Sequence, residues 1–480
     1  MTTKAIRGTF FDFTDDPWKH VGDEEASARF VSDGLLVIDD GIIVAFGPFA
    51  EVSPSYPDVP TTHIEHRIIT PGFIDGHIHF PQTRVLGAFG LQLLPWLQKW
   101  VFPEEARYAD REYARDGAVR FFDNILASGT TTVQAFTSTA PVCTEEFFEE
   151  ATRRNMRVMS GLTGIDQNAP DYFADTPESF YSNSTALIEK YHNVGRNLYA
   201  VTPRFAFGSS PEQMQKCEQL KAEHPDVWVN THISENPHEI RGVLALHPDC
   251  DDYLSVYEKY KLVGPKFSGG HAVWLSDDEF KRIHDSDASV TFCPHSNLFL
   301  GSGLFRLGKA TDPDMRVRMS FGTDMGGGNR FGMLAVLDGA YKVGMINNTV
   351  LDGSIDPSRM NAAESERNKL SAFRAFYSIT LGGAEGLYID DKVGSFDVGK
   401  EADFVALDWK AGPPGAEWHA ELIADGGDPV TVDDAANMLF GVMIVGDERA
   451  VAETWVMGEK AYQRAEAVAP TFARHFDPAH

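Results

Sequence analysis

Between about residue 67 and residue 322 short apolar runs alternate with longer amphipathic stretches, and the alternation repeats eight times. Candidate strands fall at 67–79, 130–136, 157–164, 198–205, 227–233, 267–274, 289–294 and 316–322. Helical spacing occupies intervening stretches such as 104–127, 144–155 and 211–223. Eight strand–helix units predict an α/β fold of the (β/α)8 TIM-barrel kind, whose catalytic residues gather at the C-terminal ends of the strands. The alternative is an open doubly wound sheet, which announces itself with a glycine-rich nucleotide loop after its first strand. No GxGxxG stands there.

The flanks read differently. Residues 5–13 and 34–46 are β-rich, the second with a turn signal at Asp39, Asp40 and Gly41. After about residue 388 the chain reads as β again, at 389–407 and 438–457. The expected organisation is a small β-sandwich-like domain built from 1–69 together with 388–465. A barrel over 70–387 is inserted between its halves, and 466–480 forms a surface tail. Length alone (480 residues) would suggest about three domains, but a barrel runs long as one unit, which brings the count to two.

Composition narrows the partners. With 42 Lys+Arg against 70 Asp+Glu the formal charge is −28, a surface that repels phosphate backbones and anionic lipid. The expectation is a small-molecule substrate, no nucleic acid and no membrane. Four scattered cysteines without a CxxC pair suit a reducing cytoplasm. The start of the chain lacks the basic-then-apolar pattern of a signal peptide, and no apolar run approaches the ~20 residues that span a bilayer.

His77 and His79 alternate on the first candidate barrel strand, so both imidazoles face one side. His232, His271 and Asp324 stand at the C-terminal ends of the fifth, sixth and eighth candidate strands, so a barrel would bring all five to one mouth. A mixed His/Asp set suits an open catalytic zinc site, whereas a structural zinc would take closely spaced cysteines. Iron, manganese and cobalt tolerate the same ligands. Glu235 lies three residues beyond His232 and could move protons beside an activated water. Its plainer role would be to complement a helix N-terminus. Arg204 and Phe205 offer a donor fork and a stacking wall, which together suit a planar polar heterocycle. Arg204 could equally be a structural ion pair. Gln82 both donates and accepts. His295 is a weaker mouth candidate, and the other histidines have no such constellation. Trp96 and Trp100 are spaced as packing or pocket wall.

The motifs PGFIDGHIHFPQ, LPWLQKWVFPEE, VTPRF, THISEN, SGGHAVWLS, CPHSNLFLGSG and GTDMGGG, in that order, resemble the amidohydrolase superfamily and, within it, the guanine deaminase family. The likeness runs from about 35 to 460 and includes the return segment LGGAEGLYIDDKVGSFDVGKEADFVALD. It implies one zinc per chain on His77, His79, His232 and Asp324. Glu235, His271 and Asp324 would be catalytic. Gln82, Arg204 and Phe205 would hold a purine, with His79, His232, His271 and Asp324 also against the substrate. The implied reaction is hydrolytic deamination of guanine to xanthine and ammonia in purine catabolism, by a cytoplasmic homodimer. One departure, Asn329-Arg330-Phe331 after GTDMGGG, is expected to bear on the mouth or a lid. The rivals are relatives acting on 8-oxoguanine, adenosine-type or triazine ring amines, and a non-catalytic scaffold, against which the filled ligand positions argue. The H-x-E with P-C-x-x-C design of cytidine-type deaminases is absent.

Overall fold

The computed structural model describes residues 3–89, 91–354, 356–424 and 427–465; the expected tail at 466–480 lies outside them. Four strands open the chain: β1 (Lys4–Phe13), β2 (Ala28–Asp39), β3 (Ile42–Pro48) and β4 (Thr61–Pro71). Asp40 and Gly41, with φ of 52° and 82°, close the β2–β3 hairpin in the left-handed turn conformation that matches strand twist. Three strands end the described chain: β14 (Phe404–Leu407), β15 (Val451–Val456) and β16 (Glu459–Gln463), numbered to leave β5–β13 for the segment between. The two ends form one seven-stranded sheet, ordered β16-β15-β14-β4-β1-β2-β3. Its apolar side chains pack on both faces, and the halves join where β14 runs antiparallel to β4.

The barrel strands are β5 (Phe73–His79), β6 (Thr130–Phe136), β7 (Arg157–Gly161), β8 (Thr163–Gly164), β9 (Asn197–Pro203), β10 (Trp228–Ile233), β11 (Phe267–His271), β12 (Ser289–Phe292) and β13 (Arg318–Phe321). They pair parallel in chain order, with the two-residue β8 continuing β7 along β9. The barrel is nearly closed, and the last strand meets the first through backbone and side chain. Asp324 N donates to His77 O at 2.8 Å, and Thr323 N donates to Asp75 Oδ1 at 3.0 Å. The surrounding helices follow their apolar stripes. Arg111–Ala127 is capped by Asp110 and buries Ala114, Ala118, Phe121, Phe122 and Ile125, the spacing of one helix face. Pro211–Glu223 lies where helical spacing placed it, capped by Ser210.

Three readings need correction. The stretch 67–79 is two strands rather than one: β4 belongs to the seven-stranded sheet, and the chain crosses to the barrel at Gly72. A Cβ at Gly72 would come within 2.1 Å of Thr131 Oγ1, so only glycine lets the crossing pass so close. In 389–407 only Phe404–Leu407 is a strand. In 438–457 the run MLFGVMIV lies inside a helix, Val432–Val445, opened by a Thr431–Asp434 capping box. It buries Ala435, Met438, Leu439, Val442 and Met443. A short, unbroken apolar run has no period to separate strand from helix, and here the cap decides.

A buried ion network fastens the sheet to the barrel. Arg157 and Arg196, at the starts of β7 and β9, share the carboxylate of Glu401, and Arg196 also reaches Asp403 at 2.5 Å. Asp403 in turn accepts from Met457 N at 2.8 Å. Among the described residues no helix is long and apolar enough to cross a membrane.

Candidate metal centre and binding pocket

At the C-terminal ends of the barrel strands, β5 brings in His77 and His79, β10 brings His232, β11 ends on His271, and Asp324 follows β13. Several of these ends turn through left-handed backbone: φ is 48° at Ser234, 72° at His271 and 44° at Asp324. Such strained positions are held only where the surroundings over-determine them. Room is cleared by glycine: a Cβ at Gly270 would fall 2.4 Å from His77 Cε1, and one at Gly322 2.7 Å from His77 Cβ.

One ligand-type atom from each of His77, His79, His232 and Asp324 lies within 4.8 Å of the others, all four residues buried. Asp324 Oδ1 is 3.2 Å from His79 Nε2 and 3.5 Å from His77 Nε2. His232 Nδ1 bonds the carbonyl oxygen of Arg204 at 2.6 Å, which assigns its proton to Nδ1 and leaves the lone pair of Nε2 facing inward. That Nε2 stands 3.1 Å from His79 Nε2. Neither ring nitrogen of His77 has a hydrogen-bond partner. Buried nitrogen lone pairs converging on a carboxylate, without protons to share, fit a divalent cation.

The electrostatics agree. Burial, reinforced by the neighbouring imidazoles, holds His232 well below the usual histidine range. Burial likewise lowers His79, against the pull of Asp324, and pushes His271 down to about 3. These rings are neutral, the form that ligates a metal. Burial pushes Asp324 up, but the imidazoles of His77 and His79 beside it outweigh that and hold it well below the usual carboxylate range. Glu235 goes the other way: burial and then the charges of Glu239 and Asp324 push it well above. A second grouping, His77 with His271 and Cys293, lacks a thiolate, because burial and nearby carboxylates push the Cys293 thiol up.

Beside this cluster is a small cavity. Of the nine side chains singled out from the sequence, eight line it; the exception is His77, which is fully buried. Leu93, Trp96, Leu97 and Leu300 supply apolar wall. Trp96 is therefore pocket wall, as its spacing allowed, and its Nε1 is buried without a partner. Arg204 lines the cavity and is also an ion pair: Nη1 and Nη2 donate to the Glu105 carboxylate at 2.7 and 3.0 Å.

Sequence reasoning missed the residues that hold this set. Glu105 pairs Arg204 and also accepts from Gln82 Nε2 at 2.8 Å. Asp75 accepts from His77 N and Thr323 N. Ser302 Oγ donates to Glu235 Oε1 at 2.9 Å. Asn297 Nδ2 lies 2.9 Å from His271 Nδ1, so in CPHSN it is the asparagine, two residues past His295, that reaches the mouth. His295 instead bonds Asn329 at 2.5 Å. The departure Asn329-Arg330-Phe331 does not line the cavity: Arg330 stands 3.6 Å from Glu448, and Phe331 packs on the main core. No local pattern singles these residues out: Glu105 stands in the motif FPEE beside Glu104, and the sequence does not distinguish the two.

A barrel with a His/Asp cluster at its mouth defines a metal-dependent hydrolase scaffold. The chain belongs to the amidohydrolase family, whose sequence model matches residues 68–460. A guanine deaminase of Escherichia coli (strain K12) is 43% identical over 468 residues, 96% of this chain and 98% of its own. A probable guanine deaminase of Deinococcus radiodurans is 39% identical over 386 residues, 79% of this chain and 84% of its own. Among solved structures, the guanine deaminase from Bradyrhizobium japonicum superposes with a TM-score of 0.96 at 68% identity, covering 97% of this chain and all of that one.

Proposed function

We propose that this chain is a zinc-dependent guanine deaminase that hydrolyses guanine to xanthine and ammonia. The observation that carries the reading is the joining of a buried His3Asp cluster to a cavity bearing Gln82, Arg204, Phe205 and Glu235, in a chain closely similar along its length to guanine deaminases. His77, His79, His232 and Asp324 would hold one cation per chain. When bound, the cation supplies the Lewis acidity that makes water a nucleophile near neutral pH.

The protein's own groups do the rest. Phe205 and Trp96 wall a flat ring, while Gln82 and Arg204 orient its polar edge. Ser302 occupies Glu235 Oε1, which leaves Oε2 to carry the proton that burial favours. Glu235 gives that proton to the ring nitrogen beside C2 as water adds to C2, so negative charge does not build there. It takes one proton of the water and passes it to the departing amine, and takes back the water's other proton as the C2 hydroxyl becomes the carbonyl, which restores its starting state. His271, neutral and 3.5 Å from Glu235 Oε2, is placed to hydrogen-bond the oxygen being added. Asp324 stays anionic and accepts from it.

The same reading carries a cytoplasmic homodimer, and a two-part organisation of 1–69 with 388–465 around 70–387. The test is ultraviolet absorbance of guanine with purified, zinc-loaded protein. Xanthine and ammonia should appear in equal amounts. Turnover of a triazine or an adenosine-type amine without turnover of guanine would overturn the assignment.

A further inference from the structure

Glu105 touches neither the metal cluster nor the cavity, yet it is fully buried and its carboxylate binds two cavity side chains at once. Oε1 accepts from Gln82 Nε2 at 2.8 Å and from Arg204 Nη2 at 3.0 Å, and Oε2 accepts from Arg204 Nη1 at 2.7 Å. Glu105 follows the segment Leu93–Val101, which walls the pocket, at the end of the short helix Phe102–Glu105.

The consequence is a fixed polarity. A free glutamine amide can flip, presenting either its oxygen or its NH2 to a ligand. A carboxylate only accepts, so a flipped Gln82 would set two oxygens against each other at hydrogen-bond distance. Gln82 therefore keeps Nε2 on Glu105. Its Oε1, buried and without a partner, remains as an unused acceptor on a side chain that lines the cavity. A guanidinium has five N–H donors; two of Arg204's are committed to Glu105, and the others remain, as donors only.

The geometry points to Glu105 as the positioning residue that makes this pocket select a ring lactam, through the acceptor it leaves on Gln82 and the donors it leaves on Arg204. The complement of that pair is an N–H beside a C=O, the edge of a 6-oxopurine. A 6-aminopurine offers the reverse: a ring-nitrogen lone pair against Gln82 Oε1 and an amine against the Arg204 donors. A site whose buried polar groups are left unpaired by the wrong ligand rejects it by large factors, roughly 10⁴ in favourable cases. The inference rests on the reading of the cavity as a purine site, and deepens it.

The test uses ligands without the 2-amine, so that binding is read apart from turnover. Hypoxanthine presents the lactam edge and adenine the reversed one. By equilibrium dialysis, zinc-loaded wild-type protein should bind hypoxanthine more than 100-fold tighter than adenine. In Glu105→Gln, checked for folding by circular dichroism and for metal content, Gln82 is free to flip and the ratio should fall below about tenfold. A role confined to stability would lower both affinities alike and keep the ratio. A folded Glu105→Gln protein with the wild-type ratio overturns the inference while leaving guanine deamination standing. If that variant does not fold, Gln82→Met decides: it keeps the Arg204–Glu105 pair and removes the whole amide, the cavity acceptor together with the donor to Glu105, and an unchanged ratio overturns the inference. Wild-type protein that binds both purines equally, or neither, overturns it as well; failure to convert guanine to xanthine is the separate failure of the function proposed above.

Discussion

Asp75 ties the first barrel strand to the last through Thr323: Oδ1 accepts from Thr323 N at 3.0 Å and Oδ2 from Thr323 Oγ1 at 2.5 Å. The same Oδ1 takes His77 N at 3.1 Å. One buried carboxyl thus sets the backbone of His77 and of the segment that ends on Asp324, two residues on opposite sides of the barrel seam. Removing it as Asp75→Ala leaves buried N–H groups unpaired, at about 1–3 kcal/mol each. Losing an outer support of this kind weakens metal binding by about 10–100-fold. Competitive titration against a chelator should show that drop, together with a lower melting temperature of the metal-free protein. Unchanged affinity would mean that the seam is held without Asp75.

Glu235 lies against Ser302 and His271 and does not belong to the His3Asp group. Glu235→Gln keeps the shape and can still meet Ser302. Metal content and melting temperature should therefore match the wild type. Loss of the proton carrier should lower kcat by about 10²–10⁴ with a smaller effect on KM. Steady-state kinetics beside metal analysis checks both halves, and a variant with full kcat would remove Glu235 from the proton path.

Metal removal separates assembly from chemistry. The ligand side chains sit on the interior ends of strands whose cores are already packed, so the chelated protein should stay folded and inactive. Activity should return on adding zinc in a ratio of one per chain. Free metal at 100 times its dissociation constant adds about 2.7 kcal/mol to the stability of the folded state, seen as a rise in melting temperature. A chelated protein with undiminished turnover would rule out the cluster as the catalytic centre.

The mouth was legible in the sequence because strand ends are. Strand periodicity put His77 and His79 on one side, and the barrel rule put His232, His271 and Asp324 beside them, where the structure has them. The supports were not legible, because nothing local marks them. Glu105 stands 99 residues from Arg204 in a helix of four residues, and Asp75 bonds a threonine 248 residues on. Arg204 shows how two readings can both hold, with one edge of the guanidinium in an ion pair and the residue still lining the cavity. The β reading of 438–445 failed for a different reason. The segment is apolar all round, and its helix is set by a cap at Thr431 and by packing rather than by its own pattern.

Trp96 carries a buried indole N–H without a partner, on the wall of the cavity. An orphaned donor costs the free protein stability of about 1–3 kcal/mol and is available to a ligand acceptor. Trp96→Phe should leave the melting temperature equal or higher while raising KM for guanine by about tenfold, the effect of one lost hydrogen bond of about 1.4 kcal/mol. A lowered melting temperature with unchanged KM would make Trp96 packing alone.

Arg196 gives the complementary case, a residue important to the fold and remote from the chemistry. It stands just before Asn197, at the start of β9 and the end of the barrel away from the histidines. Its guanidinium serves Glu401 and Asp403, with all three side chains nearly excluded from solvent. Arg157 shares Glu401, but no ion pair reaches Asp403 other than that of Arg196 among the described residues. Arg196→Leu therefore strands a buried carboxylate, a loss of about 3–5 kcal/mol, and should lower the denaturant midpoint accordingly. Because Asp403 also accepts from Met457 N, the damage falls on the join between the seven-stranded sheet and the barrel. At a temperature where the variant is folded, kcat and KM should equal the wild-type values. A variant of normal stability would show that the network is dispensable, and one of altered kcat at full folding would show that the sheet is coupled to the mouth.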